Sequence, residues 1–415
     1  MIILLYEFSY AIPVGLIEIR GAKTQEKVIR QLLDTLQGQE FSQSLWDRDL
    51  QRLKNLDFFY DVHAEIHEED GRKNILLNIK NKFSTIPIIK YKRGGGSLQV
   101  TAGLYEVNFL NRLLEVGGQY ERLNQNNGLV FWFRHPYFLS RKNHVGTEIY
   151  VHTLDLPLLT IRGTEEAFLD NKEVLWNARI QRKLSDRLQA GVEFSLYQND
   201  LALDNSSTEK TQKNNLFVQS QSLNSGRTVS LTPRLTFGVL NRDRHYVTGN
   251  EIYIQAEVAH LSLGSQFNFV KGLIGATGGI RAIERLNLTY QFKMGSKTGR
   301  EFQHKFYLGG LDTVRGFLDR QFRGEHMWLL NLEARPTLME KPLWVLQGNL
   351  FTDLSKSWDA TNFGIDGFGK PFVSYGAGIR LILPKVYRAI IRFDLARTEQ
   401  PIQQIGLNFG IQQFF

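Results

Sequence analysis

The 415-residue sequence contains no cysteine. That absence removes disulfide frameworks, thiolate metal sites and cysteine nucleophiles together. It leaves the redox compartment open, because disulfide-free chains occur on both sides of a membrane. No run of about 18 consecutive apolar residues occurs either, which excludes a transmembrane helix but not a barrel, whose strands are short and only half apolar. Lys and Arg number 50 against 42 Asp and Glu, a net charge of +8. Yet no basic run is interleaved with aromatics as a nucleic-acid groove requires, so the excess reads as a solvated face and no nucleic-acid partner is expected. Nucleophile-elbow sequences and phosphate-cradling loops of the right spacing are missing too. His63 and His67 fall on one face of a strand without a third ligand, so they read as solvated or packing histidines. No catalytic residue, cofactor or metal is expected.

What is present divides the chain, whose length exceeds a single core and calls for two domains or one very large sheet. The start, "MIILLYEFSYA", has a short apolar run with no Lys or Arg before it; residues 1–13 read either as a signal remnant with Ala11 near a cleavage point or as a frayed N-terminal segment. Residues 14–92 mix periods. "VGLIEIRG" reads as a strand, Thr24 as the cap of a helix through "TQEKVIRQLLDTLQ" ending at Gly38, and Ser44 as the cap of a second helix through "LWDRDLQRLKNL". The alternating runs "YDVHAEIHEE" and "KNILLNIKNKF" close a β-α-α-β-β module with two helices on one sheet. An unpaired edge of such a sheet can take up an extended peptide. "RGGGS" then reads as a hinge at Gly94, Gly95 and Gly96.

From residue 93 to Phe415 no helix is expected, only strand-like runs between polar turns, beginning with "SLQVTAGLYEV" and including "LLTIRGTEEAF" as the fifth. There are roughly sixteen, most near the ~9 to 11 residues that cross a bilayer as a tilted strand. Alternation is clearest late in the chain, where Leu286, Leu288, Tyr290, Phe292 and Met294 oppose Asn287, Thr289, Gln291 and Lys293. Ile391, Phe393 and Leu395 likewise oppose Arg392 and Asp394. A soluble sandwich could alternate in this way. A closed transmembrane barrel also accounts for strand number, strand length and the lack of helices. The expected fold is therefore mainly β: a sixteen-stranded antiparallel transmembrane barrel over 93–415 behind one small N-terminal α/β domain.

The glycine-bracketed stretch "GGLDTVRGFLDRQFRGEH" places Arg315 between Val314 and the pair Gly316 and Phe317. Alternation points Glu333 of "MWLLNLEARP" and Asp353 of "LWVLQGNLFTDL" into the bore. If the loop folds inward, Arg315 can meet both carboxylates in forked, charge-assisted hydrogen bonds, with Phe317 against the wall and Gly316 allowing close backbone approach.

At these residues the sequence resembles the BamA/TamA-type outer-membrane assembly superfamily. "LGGLDTVRGF" is similar to its diagnostic loop motif at Val314, Arg315, Gly316 and Phe317, and "LFTDLSKSW" to its next barrel motif at Phe351 and Asp353, with Ser355 where the family prefers glycine. "NLEARP" resembles the strand carrying the loop's second acidic partner, Glu333, and "LQRLKNLDFFYDV" the middle of a POTRA module. The resemblance implies an outer-membrane barrel with a periplasmic POTRA-like domain and a seam between first and last strands that opens sideways. It also implies a C-terminal sorting signal around Gly410 and Phe415. One POTRA-like module fits here, fewer than insertases or secretion pores of the best-known types carry. Implied partners are the lipid bilayer, unfolded client polypeptides and accessory periplasmic proteins. Three functions follow from these readings: a membrane-protein insertase, a secretion pore for a dedicated polypeptide, and a passive porin.

Overall fold

Alternating apolar side chains draw Val14–Arg20 into β1, which pairs in parallel with β3 (Arg72–Asn81), itself the antiparallel partner of β2 (Phe59–Glu69). Two helices, α1 (Glu26–Arg30) and α2 (Gln43–Asn55), cover one face of this sheet, burying Ile29, Trp46 and Leu53 against Ile17, Ile75, Leu77 and Ile79. The computed structural model describes residues 12–94, 97–123, 126–220, 223–299, 301–310, 313–359, 369–386 and 389–411. Ala11, Gly95, Gly96 and Phe415, singled out from the sequence, lie outside these.

Both helix caps differ from expectation. Thr24 is buried and receives a hydrogen bond from Asn81 Nδ2 at 3.0 Å, so its hydroxyl serves the sheet rather than the helix. The first helix ends after five residues because the buried Asp49 carboxylate accepts from the backbone N–H groups of Asp34 (2.9 Å) and Thr35 (2.8 Å), giving them a partner outside the helix ladder. The second helix is capped by Ser42, whose Oγ accepts from Leu45 N at 3.4 Å; Ser44 lies one residue inside it.

The rest of the chain builds one antiparallel sheet of sixteen strands. In chain order it runs β4 (Thr85–Gly94), β5 (Ser97–Phe109), β6 (Leu114–Leu123), β7 (Asn126–His135), β8 (Asn143–Leu159), β9 (Glu165–Lys183) and β10 (Leu188–Leu203). It continues through β11 (Gly226–Asp243), β12 (Tyr246–Ala259), β13 (Phe269–Ile283) and β14 (Leu286–Lys297). A long connection follows, carrying a small hairpin of β15 (Phe306–Leu308) with β16 (Phe322–Gly324). The strands β17 (His326–Glu340), β18 (Val345–Trp358), β19 (Phe372–Ile382), β20 (Ile390–Gln400) and β21 (Gln404–Ile411) complete the order. The end strands β4 and β21 lie side by side, and the described residues record no ladder between them.

The sheet is inside-out relative to a soluble protein. Phe131, Leu332 and Leu395 are 53%, 43% and 49% exposed, while Asn331, Asp353 and Asp394 are fully buried. Such an outward apolar belt with a polar interior is the pattern of a lipid-facing barrel, and it rules out the soluble sandwich.

The strand assignment corrects the sequence reading at three places. β4 runs to Gly94 and pairs with β5 from Ser97, so the sheet begins at Thr85 and "SLQVTAGLYEV" is its second strand; of the expected hinge, Gly95 and Gly96 lie outside the described residues. β4 escapes detection because Ile86 and Ile88 are buried while Ile89 beside them is exposed, an apolar run without polar alternation, and Pro87 suggests a break. Proline is tolerated there because β4 is an edge strand. "LLTIRGTEEAF" is no separate strand: it joins β8 to β9 through a turn with Gly163 at φ 80° and a 2.6 Å hydrogen bond between the hydroxyls of Thr160 and Thr164. Finally, the β10–β11 connection contains a helix, α3 (Thr208–Ser220). Its sequence is almost wholly polar and shows no stripe. Phe217 nonetheless packs edge-on against Phe302, 5.5 Å away, and Asn214 ties the helix to Phe168 and Asp204.

The module touches the turns after β5, β7, β9 and β19 and the last residues of β11. Gln25 N donates to Asn111 O at 2.9 Å, Asn55 Nδ2 to Asn241 Oδ1 at 3.1 Å, and Phe83 N to Lys385 O at 2.9 Å. Arg48 lies 3.7 Å from Asp186, and Asp34 pairs with Arg141. Between module and barrel lies a vestibule of about 820 Å³, bounded by Phe59 and Asp61 on one side and Trp132, Arg134 and Tyr246 on the other.

Candidate functional site

The β14–β17 connection starts at the end of the barrel away from the module and folds back inside. Its own apolar residues hold it there. Val314, Phe317 and Phe322 form a buried cluster with Met327, Leu329 and Phe372, in which Phe317 meets Phe322 edge-on at 4.9 Å and Phe322 stacks on Phe372 at 3.8 Å. The outer part is tied to other connections: Arg323 Nη1 donates to Leu159 O at 2.8 Å, Gln321 Nε2 to Ile161 O at 2.9 Å, and Arg323 pairs with Glu166. His304, on the same connection, shares a 2.9 Å hydrogen bond with Thr228 Oγ1, and burial pushes its imidazole down to about 3.

At the tip, Arg315 is fully buried. Its Nε and Nη2 form a fork on Asp353, to Oδ2 at 2.8 Å and Oδ1 at 2.7 Å, and its backbone N–H reaches the same carboxylate at 3.1 Å. Nη1 donates to Glu333 Oε1 at 2.6 Å. The guanidinium lies over the Phe351 ring, 3.5 Å from its centre. Gly316 adopts φ 86°, and a Cβ there would stand 2.8 Å from Thr398 Cγ2, so both conformation and space require glycine. Opposite it, a Cβ on Gly406 would come 2.6 Å from Gly316 Cα, while Gln404 Nε2 donates to Gly316 O at 2.7 Å. The loop tip is thus seated on β20 and β21.

The structure brings Val314, Arg315, Gly316, Phe317, Glu333, Phe351 and Asp353 into one place. Gly410 sits apart, its inward side against Arg392, where a Cβ would lie 2.9 Å from Nε. Gly94 ends β4, and His63 and His67 are half or more exposed beside Asp61 and Glu65. Among the described residues no cluster of His, Asp and Glu has a metal-binding arrangement.

Three participants were missed. Asp394 stands 3.7 Å from Arg315 Nη1 and accepts from Asn349 Nδ2 at 3.1 Å. Arg335 and Arg380 both bind Glu333 Oε2, with closest N–O distances of 2.5 Å. Alternation had already turned Asp394 inward; what a single sequence lacked was the cross-strand register that puts Asp394 opposite Gly378 and brings β18, β19 and β20 around one point. The result is a buried network of Arg315, Arg335 and Arg380 with Glu333, Asp353 and Asp394. Its chemistry is positional, since every named carboxylate is engaged by a cation or an amide.

The profile of the Omp85 superfamily domain matches residues 108–415. The chain belongs to the Omp85 superfamily. Residues 12–82 of this Omp85 protein match the surface antigen variable number repeat, a POTRA domain. No curated protein matches the chain. Among solved structures it is similar to CdiB from Escherichia coli (TM-score 0.67, 13% identity, covering 97% of this chain and 76% of that one). CdiB from Acinetobacter baumannii is similar as well (0.63, 13%, 96% and 73%). So is BamA from Haemophilus ducreyi lacking POTRA domains 1–3 (0.54, 15%, 96% and 83%). At these identities the likeness concerns the fold: a transmembrane β-barrel with an N-terminal POTRA module.

Proposed function

We propose that this Omp85 protein resides in a bacterial-type outer membrane with its POTRA module in the periplasm. There it receives unfolded polypeptides and inserts them into the bilayer through the join between β4 and β21. The observation that carries this reading is a contrast of two routes. A path straight through the bore requires taking apart the fully buried pairs of Arg315 with Glu333 and Asp353, and breaking a buried pair costs about 3 to 5 kcal/mol. A sideways path leaves those pairs intact and needs only the end strands to part, and the described residues record no ladder between these two, whereas every other neighbouring pair in the sheet is joined by ladder hydrogen bonds worth about 1 kcal/mol each. The β2 edge of the POTRA sheet supplies backbone donors and acceptors for an extended client.

A secretion pore is the alternative, favoured by the vestibule of about 820 Å³ leading toward the bore. It requires the β14–β17 connection to leave the bore during transport. Depletion of the protein, followed by comparison of membrane and secreted proteomes, separates the readings. Loss of many barrel proteins is expected for the insertase, whereas loss of one secreted polypeptide would replace it with the pore. Unchanged proteomes with altered solute uptake would leave a porin.

A further inference from the structure

The outer wall of the barrel is not convex throughout. Across β12–β14 and β17–β21 it is hollowed into an apolar groove of about 1330 Å³. The groove follows the hydrogen-bonding direction of the sheet. One outward row runs in register from Asn250 through Tyr290 and Leu332 to Tyr375, Arg397 and Ile405. The next runs from Ile280 and Leu288 through Leu350 to Leu395. Between them lies the inward row containing Thr289, Glu333, Phe351, Gly376, Ala396 and Gly406. Small residues dominate its β19–β21 end, and there the backbone of Gly316 is seated on the inner surface. The hollow is therefore the outside of the wall whose inside holds Arg315.

We propose that this groove is a binding site for one anionic bilayer phospholipid, an acyl chain along the groove and the negatively charged headgroup against Arg397. The groove is continuous with the exposed apolar belt, which in a membrane is covered by acyl chains. Water in so apolar a hollow would lack partners. One end is polar: Arg397 is 57% exposed, lies 3.3 Å from Glu399, and neighbours Tyr375, whose hydroxyl donates to the same carboxylate at 2.7 Å. A guanidinium at the headgroup end of an acyl-lined channel is a phosphate ligand.

The chain has no native cysteine, so single probes are unambiguous. Ala377→Cys places a bimane fluorophore in the groove, and Ile254→Cys places one on the open belt, where Ile254 is 53% exposed. The full-length protein is reconstituted in vesicles of phosphatidylethanolamine containing a minor fraction of phosphatidylglycerol with brominated acyl chains. Quenching at position 377 is expected to report local enrichment of about tenfold over position 254, the factor corresponding to one charge-assisted hydrogen bond. Arg397→Gln should equalise the two positions without disturbing the fold, and Ala334→Trp, which fills the groove, should do the same. Equal quenching in the parent would overturn the proposal, as would enrichment that survives Arg397→Gln. Detection of a stable dimer burying position 377 would assign the groove to a second copy instead.

Discussion

Arg315 is the residue on which the interior of the barrel turns. Its guanidinium faces Glu333, Asp353 and Asp394 with no exposed atom to share the charge with water. Removing it leaves Asp353 buried without its cation, so Arg315→Ala is expected to weaken loop docking by about 3 to 5 kcal/mol. Limited proteolysis should then cut between residues 300 and 325, a stretch expected to resist in the parent. Lysine cannot reproduce the fork to Asp353 together with the bond to Glu333, so Arg315→Lys should recover only a small part of that resistance. Gly316→Ala should be nearly as damaging through backbone strain and contact with Thr398. The same residues mark how far one sequence carries. Arg315, Glu333 and Asp353 were legible because a charge in an aromatic- and glycine-rich loop needs a partner, and alternation says which carboxylates point inward. Arg335 and Arg380 were not, because an inward arginine on a strand looks the same whether it faces water or a buried glutamate.

At the scale of elements, the β14–β17 connection should respond to acid. His304 is neutral while docked, its value displaced from the ordinary 6.5 to about 3. A group whose value is lowered on docking binds a proton more readily when released. Docking is therefore strongest above the ordinary histidine value and weakens as pH falls from about 6.5 toward 3, by up to about 1.4 kcal/mol per unit. Proteolysis of the connection should increase between pH 7 and pH 5, and His304→Gln should flatten that dependence. In the module, Asp49→Ala is expected to cost about 1 to 3 kcal/mol by leaving the N–H groups of Asp34 and Thr35 unpaired, read as faster hydrogen exchange across α1 and α2. Element types were legible where one face met lipid and the other the bore, as in β14, β17 and β20. They failed where a segment served two environments. β4 is half module core and half barrel wall, and α3 is fixed by the packing of Phe217 and the hydrogen bonds of Asn214 rather than by an amphipathic stripe.

For the whole molecule, the question is how the POTRA module and the barrel move relative to each other. Asp34 is the charged link: partial burial pulls its carboxyl up, but hydrogen bonds from Arg141 of the barrel and Arg52 of α2 outweigh that and hold it below the usual carboxylate range. Its contribution is complete above the ordinary value of about 3.9 and is lost as pH falls through the lower docked value. At neutral pH, Asp34→Asn should raise hydrogen exchange in the β7–β8 turn and the facing α1–α2 segment while leaving the strands unchanged. The two-part organisation was legible in the change from mixed to purely alternating periodicity. Its boundary was displaced by one strand because β4, an apolar run with a proline in it, does not show the alternation of the strands that follow. The central claim is that clients leave sideways while the bore stays closed. A cysteine pair across β4 and β21, in a chain with no native cysteine, tests it directly in reconstituted vesicles. Insertion of an unfolded barrel client should stop when the pair is oxidised and return on reduction; insertion that continues unchanged with the pair fully oxidised would contradict the account.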